Sequence, residues 1–238
     1  MNNEIVLVTG ASSGIGEACA RLLSERGYTV VLCARTKKKL QAIERELTDR
    51  GERALAIAGD VTKDNDARNV INESLKTFGA IHAIVHSAGV FRMNRVEATS
   101  PEEFRQLLDT NLTSLFYLLR HLLPHMYKQK RGRIVAISSI LGKDAYPSES
   151  AYCASKWGLM GFLKALREEA RERGVTVTAI CPGATLTPSW DSYPKPLPEG
   201  KLIEAGTVAS AVAFALQQPP AACVDELVIT PAKGPIEL

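Results

Sequence analysis

Residues 4–27 read E-I-V-L-V-T-G-A-S-S-G-I-G-E-A-C-A-R-L-L-S-E-R-G. Residues 4–9 are a short, mostly apolar, β-branched run with the length of a buried strand. Gly10, Gly14 and Gly16 follow at once, and apolar positions then recur at helical spacing as far as Gly27. The order is strand, glycine turn, helix. Glycine permits a tight turn and a close approach of backbone to a ligand. The helix start offers unpaired N–H groups and a positive dipole end, which suit a pyrophosphate. The spacing is G-x-x-x-G-x-G, whereas the commonest dinucleotide turn is G-x-G-x-x-G. Any tight strand-to-helix connection can use a glycine, so the weight comes from its place after the first strand.

The same alternation runs on through the chain. Further strands are expected at 28–34, 53–59, 81–87, 133–138, 175–181 and 226–230. Helices are expected at 35–51, 64–78, 100–121, 150–173 and 207–217. Ser100 and Pro101 suit a cap and first helical position, and Pro124 is expected to kink or end that helix. This pattern implies an α/β fold: a single-domain, Rossmann-like, doubly wound parallel sheet of about seven strands with helices on both faces. Ligands in such sheets bind at the carboxyl ends of strands. Gly14, Arg35, Asp60, Gly89, Ser139 and Pro182-Gly183 all fall at such ends. No repeat or linker divides the chain, so residues 1–238 read as one domain, with a substrate-loop insertion at about 184–206.

A second stretch carries the chemistry. Residues 138–156 read S-S-I-L-G-K-D-A-Y-P-S-E-S-A-Y-C-A-S-K. Tyr152 and Lys156 stand four apart at the start of the helix expected at 150–173, so they share a face. A free tyrosine titrates near 10. A nearby ammonium favours the phenolate and brings the group into useful acid–base range. Ser139 ends the preceding strand and is placed to polarise a carbonyl whose oxygen gains charge. Ser138 is the neighbouring candidate, but it points to the opposite side of the pleat if the strand continues. Y-x-x-x-K also arises often by chance, so the pair counts only in this company.

Composition narrows the class. The 238 residues are 45% hydrophobic and 23% charged, with a net charge of +3, an ordinary globular balance. The charges are interspersed, which suggests neither a nucleic-acid nor a membrane surface. No apolar run approaches the ~18 residues of a spanning helix, and no basic leader with a cleavage site precedes Ile5. The five cysteines, Cys19, Cys33, Cys153, Cys181 and Cys223, are scattered and read as reduced thiols of a cytoplasmic protein. His121 and His125 are four apart, but no third ligand is in sight, so no metal is expected.

With these residues in view, the chain resembles the short-chain dehydrogenase/reductase family over almost its whole length. T-G-A-S-S-G-I-G at 9–16 matches the family's T-G-x-x-x-G-x-G, and Asp60-Val61 matches its adenine-contacting pair. Asn111, Ser139, Tyr152 and Lys156 match its catalytic residues. Pro182-Gly183 with Thr185 and Thr187 matches its nicotinamide-contacting segment. The resemblance implies that Tyr152 exchanges a proton with the carbonyl oxygen during hydride transfer. Lys156 lowers the tyrosine pKa and holds the ribose, Ser139 orients the carbonyl, and Asn111 anchors a water in a proton relay. Cofactor contacts are expected from Gly10, Ser12, Ser13, Gly14, Ile15, Gly16, Arg35, Asp60, Val61, Ala88, Gly89, Pro182, Gly183, Thr185 and Thr187.

The cofactor is expected to be NADP(H), with NAD(H) the alternative. An NAD site commonly has a carboxylate at the end of the second strand. Here Ala34 stands there, and Arg35 follows with a guanidinium suited to a phosphate. The expected activity is interconversion of a ketone or aldehyde and an alcohol. The alternatives are an NAD-dependent alcohol or hydroxysteroid-type dehydrogenase and, in another class, a catalytically silent NADP-sensing regulator. His86-Ser87 replaces the family's usual asparagine pair before Ala88-Gly89, so the supporting hydrogen bonds must be replaced or lost. The tail D-E-L-V-I-T-P-A-K-G-P-I-E-L lacks the glycine pair of many acyl-carrier-protein ketoreductases and looks more like general ketone or hydroxy-acid reductases.

Residues 186–202 are expected to form a mobile lid. Trp190, Tyr193 and Leu197 offer apolar contacts, while Pro188, Pro194, Pro196 and Pro198 prevent regular structure. By analogy with the family, a homo-oligomer, a tetramer or dimer, is expected. Leu115, Phe116, Leu119 and Leu163 are available for core or interface, and Trp157 for the same two roles.

Overall fold

The computed structural model describes residues 4–190 and 200–234. β1 (Ile5–Thr9) passes through the glycine turn into α1 (Gly14–Glu25). Next come β2 (Thr29–Ala34), α2 (Lys37–Asp49), β3 (Ala54–Ala58) and α3 (Asp64–Phe78). After β4 (Ala83–His86), α4 (Pro101–Leu108) and α5 (Ser114–Gln129) are joined by a π-helical turn (Asp109–Thr113). β5 (Gly132–Ile137), α6 (Ser150–Arg171) and β6 (Val175–Pro182) lead to two short strands, β7 (Thr185–Leu186) and β8 (Ile203–Glu204). α7 (Ala205–Leu216) and β9 (Glu226–Ile229) complete the described elements.

Seven strands form one sheet in the order β3-β2-β1-β4-β5-β6-β9, and every neighbouring pair is parallel. The apolar strands are buried on both faces. On one face, Leu7, Ile84 and Ile134 pack with Val70 of α3, Leu118 of α5 and Leu163 of α6. On the other, Val6, Val85 and Ile180 pack with Leu23 of α1, Leu47 of α2 and Val212 of α7. The chain order reverses between β1 and β4. That switch point opens a crevice at the carboxyl ends of the strands.

Local chemistry places the element ends. Ser100 accepts the Glu103 N–H at 3.1 Å with Pro101 in the first turn, as the sequence suggests. The helix expected at 100–121 differs in two ways. It is divided by the π-helical turn at Asp109–Thr113, and it continues past Pro124 to Gln129. Leu122 and Met126, on either side of Pro124, are fully buried against the sheet. Their burial offsets the lost backbone bond. The pairing of β7 with β8 was not expected from the sequence. It brings together the two ends of the segment that begins at Thr187 and returns at Leu202. Tyr193, Leu197, Pro194, Pro196 and Pro198 lie outside the described residues.

No helix among the described residues is long and apolar enough to cross a membrane.

Candidate active site

The strand ends and the turns that follow them enclose a cavity of about 920 Å³. The glycine turn forms its floor at the switch point. Gly10 has φ +67, and a Cβ there would meet the Ser87 carbonyl oxygen at 2.8 Å. At Gly16 a Cβ would meet the Gly10 carbonyl oxygen at 2.2 Å. The first glycine therefore makes the turn and the second lets α1 start against it. Ser13, at the cap position of α1, makes no side-chain capping bond, which leaves its hydroxyl and the first N–H groups of α1 available to a phosphate.

Ala34 and Arg35 lie at the end of β2 in the cavity wall. Arg35 is exposed and forms no ion pair among the described residues. Asp60 ends the β3 connection, where one carboxylate oxygen accepts the Thr62 N–H at 3.1 Å and the Thr62 hydroxyl at 2.8 Å. Val61 is buried beside it in the cavity wall.

At the other end, Ser139, Tyr152 and Lys156 face the same cavity. Ser139 is near enough to the Tyr152 phenol to favour its ionised form, and its Oγ accepts the Leu141 N–H at 3.1 Å. Ser138 also lies in the cavity wall, buried and with its Oγ unpartnered. Lys156 Nζ donates to the Ile137 carbonyl at 3.0 Å and lies 5.7 Å from the Tyr152 ring centroid.

Two expected site residues do not line the cavity: Gly16, which serves the packing of the turn, and Asn111. Asn111 is fully buried in the π-helical turn. Its amide donates to the Val90 carbonyl at 3.0 Å and to Ser155 Oγ at 2.9 Å, and its Oδ1 accepts the Val90 N–H at 2.8 Å. Ser155 Oγ in turn donates to the Tyr152 carbonyl at 2.7 Å. Asn111 thus ties the chain after β4 to the backbone of α6 at Tyr152. A Cβ on Gly89 would lie 3.3 Å from Asn111 Oδ1 and 3.9 Å from Lys156 Nζ, so the absence of a side chain at Gly89 lets these parts come together.

Residues 4–197 match the short chain dehydrogenase family. The chain belongs to that family. It is 35% identical to the 3-oxoacyl-[acyl-carrier-protein] reductase of Haemophilus influenzae, with 90% of each chain covered. Among solved structures, it is similar to an actinorhodin polyketide ketoreductase with NADPH, at 30% identity, 97% coverage of each chain and a TM-score of 0.88. It is also similar to an alcohol dehydrogenase from the archaeon Thermococcus sibiricus complexed with 5-hydroxy-NADP, at 27% identity, full coverage of both chains and a TM-score of 0.92.

The electrostatics of this short chain dehydrogenase differ from expectation at Tyr152. Burial raises the phenol pKa, the nearby Ser139 hydroxyl opposes that rise, and the Glu149 charge adds to it. Tyr152 keeps part of its surface open to the cavity, but its surroundings still disfavour the phenolate. Lys156 does not supply the expected lowering, because its ammonium is turned to the Ile137 carbonyl. Burial lowers Lys156 itself to about 8.

His86 answers the question raised by the missing asparagines. It is fully buried, with Nδ1 at 3.0 Å from Thr9 Oγ1 and Nε2 at 3.1 Å from Ser114 Oγ. Thr9 Oγ1 accepts the N–H groups of Ser87 and Ala88, each at 3.2 Å. One imidazole therefore links β1, the turn after β4 and the first residue of α5.

Several cavity residues were not singled out from sequence. Phe91 packs edge-on against Tyr152 at 5.0 Å and meets Trp190 at 5.8 Å. Glu149 and Tyr146 lie in the same wall. Their signal was present only as proximity to Tyr152 in sequence. Trp190 does line the cavity, and its Nε1 donates to the Thr185 carbonyl at 2.9 Å. Trp157 is 53% exposed and outside the cavity, so core packing does not account for it. His121, the other residue of the histidine pair, bonds Asp64 of α3 at 2.9 Å.

Proposed function

We propose that this oxidoreductase is NADP(H)-dependent and interconverts a ketone or aldehyde with an alcohol. The observation that carries the reading is the convergence of Ser139, Tyr152 and Lys156 on the cavity that also holds the glycine turn and Arg35. The residues fit the coenzyme: Gly10 and Gly16 sit where a Cβ has no room, Ser13 makes no capping bond with its hydroxyl, and Arg35 forms no ion pair among the described residues. Ser12, Ser13 and the start of α1 would hold the pyrophosphate, Asp60 and Val61 the adenine, and Arg35 a 2′-phosphate. Ala88, Gly89, Pro182, Gly183, Thr185 and Thr187 would hold the nicotinamide half. When bound, the coenzyme supplies or accepts hydride.

The chain's own residues handle the proton and the carbonyl. Ser139 donates a hydrogen bond to the carbonyl oxygen, where negative charge develops. Tyr152 gives that oxygen its proton in reduction and takes it back in oxidation. A phenol kept protonated by burial suits the first role. Lys156, 5.7 Å from the Tyr152 ring centroid, stabilises the phenolate left after transfer only once its ammonium turns from the Ile137 carbonyl. Asn111 is a positioning residue that holds α6 through Ser155. Phe91 and Trp190 form the apolar wall and exclude water.

A 3-oxoacyl thioester is a second reading of the substrate, favoured by the likeness to the Haemophilus influenzae reductase. The whole chain acting as one nucleotide-binding domain, with residues 184–206 on its substrate side, belongs to the same proposal. So does a cytoplasmic setting, supported by five free cysteines. A homo-oligomer is supported by exposed Phe116 on α5 and Trp157 on α6. The test is a panel of ketones, aldehydes and 3-oxoacyl thioesters, followed by coenzyme absorbance in wild type and Tyr152→Phe. Loss of turnover by about 100-fold or more in the variant, with NADPH binding retained, is expected. Turnover near wild type in Tyr152→Phe would sink the mechanism.

A further inference from the structure

Glu149 stands three residues before Tyr152, and the roles above leave it without a task. It is 2% exposed and lines the cavity with Tyr152, Phe91 and Trp190. Its Oε2 is buried and has no hydrogen-bond partner. The residue holds the cap position of α6, yet its side chain makes no capping bond. Helix capping therefore does not explain a carboxyl in this wall. A buried carboxyl without a partner is destabilising, and it persists where the surroundings or a ligand compensate.

The neighbours indicate what that ligand carries. Glu149 is close enough for its charge to act on the Tyr152 phenol. Phe91 and Trp190 present aromatic surface in the same cavity. Aromatic faces attract an organic cation, and a carboxyl in the same cavity adds an opposite charge for it. The cavity's own cations are placed otherwise. Lys156 is bound to the Ile137 carbonyl, Arg95 pairs with Glu97 at 4.0 Å, and Arg35 lies at the end of β2.

We infer that Glu149 selects the substrate, and that the site takes a carbonyl compound carrying a protonated amine. This rests on the carbonyl-reduction reading and narrows its substrate class. Burial raises the Glu149 carboxyl to about 7, so near neutral pH an arriving ammonium shifts it toward the carboxylate and releases a proton.

The probes are N-methylpiperidone, which is a cation below the amine's pKa, and its neutral carbocyclic analogue methylcyclohexanone. With NADPH as coenzyme, wild type is expected to favour the amine by roughly tenfold or more in kcat/KM. Glu149→Gln should abolish that ratio, chiefly through KM, and Glu149→Asp should restore part of it. An unchanged ratio in a folded Glu149→Gln protein would overturn the inference, as would a wild-type preference for methylcyclohexanone. Calorimetry on wild type with NADPH provides a readout that requires neither a variant nor turnover. N-methylpiperidine, which has no carbonyl, should bind with proton release near neutral pH. Absence of binding, or binding without proton release, contradicts the role of Glu149. If no carbonyl compound is reduced but the amine binds with proton release, the reduction reading fails and the Glu149 site stands.

Discussion

His86 occupies a position where the family pattern has asparagine, and its hydrogen bonds fix its protonation. Ser114 Oγ donates its one proton to the Thr110 carbonyl at 2.7 Å, so it accepts from His86 Nε2. Nδ1 is then unprotonated and accepts from Thr9. Burial, aided by the Lys156 charge, holds His86 neutral, with a pKa lowered from 6.5 to about 3. Between those values the unfolded chain binds a proton that the folded chain does not. The stability associated with neutral His86 is therefore full above about pH 6.5 and lost as pH falls toward 3. Glu149 has the opposite sign: its folded pKa of about 7 lies above the usual 4.5, so its contribution falls as pH rises between them. Urea unfolding should show His86→Leu less stable at neutral pH by about 2 kcal/mol or more, because Thr9 and Ser114 lose their partner. The difference from wild type should shrink in acid; a difference independent of pH would contradict the buried neutral imidazole. A second residue-scale outcome concerns the coenzyme. Ala34→Asp with Arg35→Ala should lower kcat/KM for NADPH by about tenfold or more and favour NADH. An unchanged preference would remove Arg35 from the site.

The helices show which parts of the sequence were legible. Tyr152 and Lys156 could be placed together because helical spacing alone brings i and i+4 to one face. Ser100 and Pro101 marked the start of α4 through local chemistry. The turn at Asp109–Thr113 and the passage of α5 through Pro124 were not legible, since both depend on how Asn111, Leu122 and Met126 are buried by distant parts of the chain. Glu149 was likewise hidden, because a charged residue ahead of a helix ordinarily reads as surface. Arg167 is a further case. It sits on α6 but is buried, with Nε donating to the Val177 carbonyl at 3.0 Å and a terminal nitrogen to the Asp225 carbonyl at 2.7 Å. It joins α6 to β6 and to the residue that precedes β9. Arg167→Ala should therefore cost about 3 kcal/mol, read by denaturant unfolding. A change below about 0.5 kcal/mol would mean that these bonds contribute as little as surface contacts.

Across the whole molecule, the alternation of apolar runs with helical periods was enough to specify a parallel, doubly wound sheet, because strands buried on both faces leave few other arrangements. The sheet order then brought residues from 10 to 187 to one cavity. The residues offered for an interface divide: Leu115, Leu119 and Leu163 are core, whereas Phe116 and Trp157 stay exposed. Light scattering at micromolar concentration is expected to give a dimer or tetramer, and Phe116→Glu with Trp157→Glu to lower the mass. A monomeric wild type would refute the assembly. The central claim is that this cavity directs hydride between NADP(H) and a carbonyl compound. Its most direct test is kcat/KM of the wild-type protein with NADPH and with NADH on one ketone that it reduces. Arg35 beside Ala34 predicts that NADPH is better by about tenfold or more; equal or better efficiency with NADH would contradict the account.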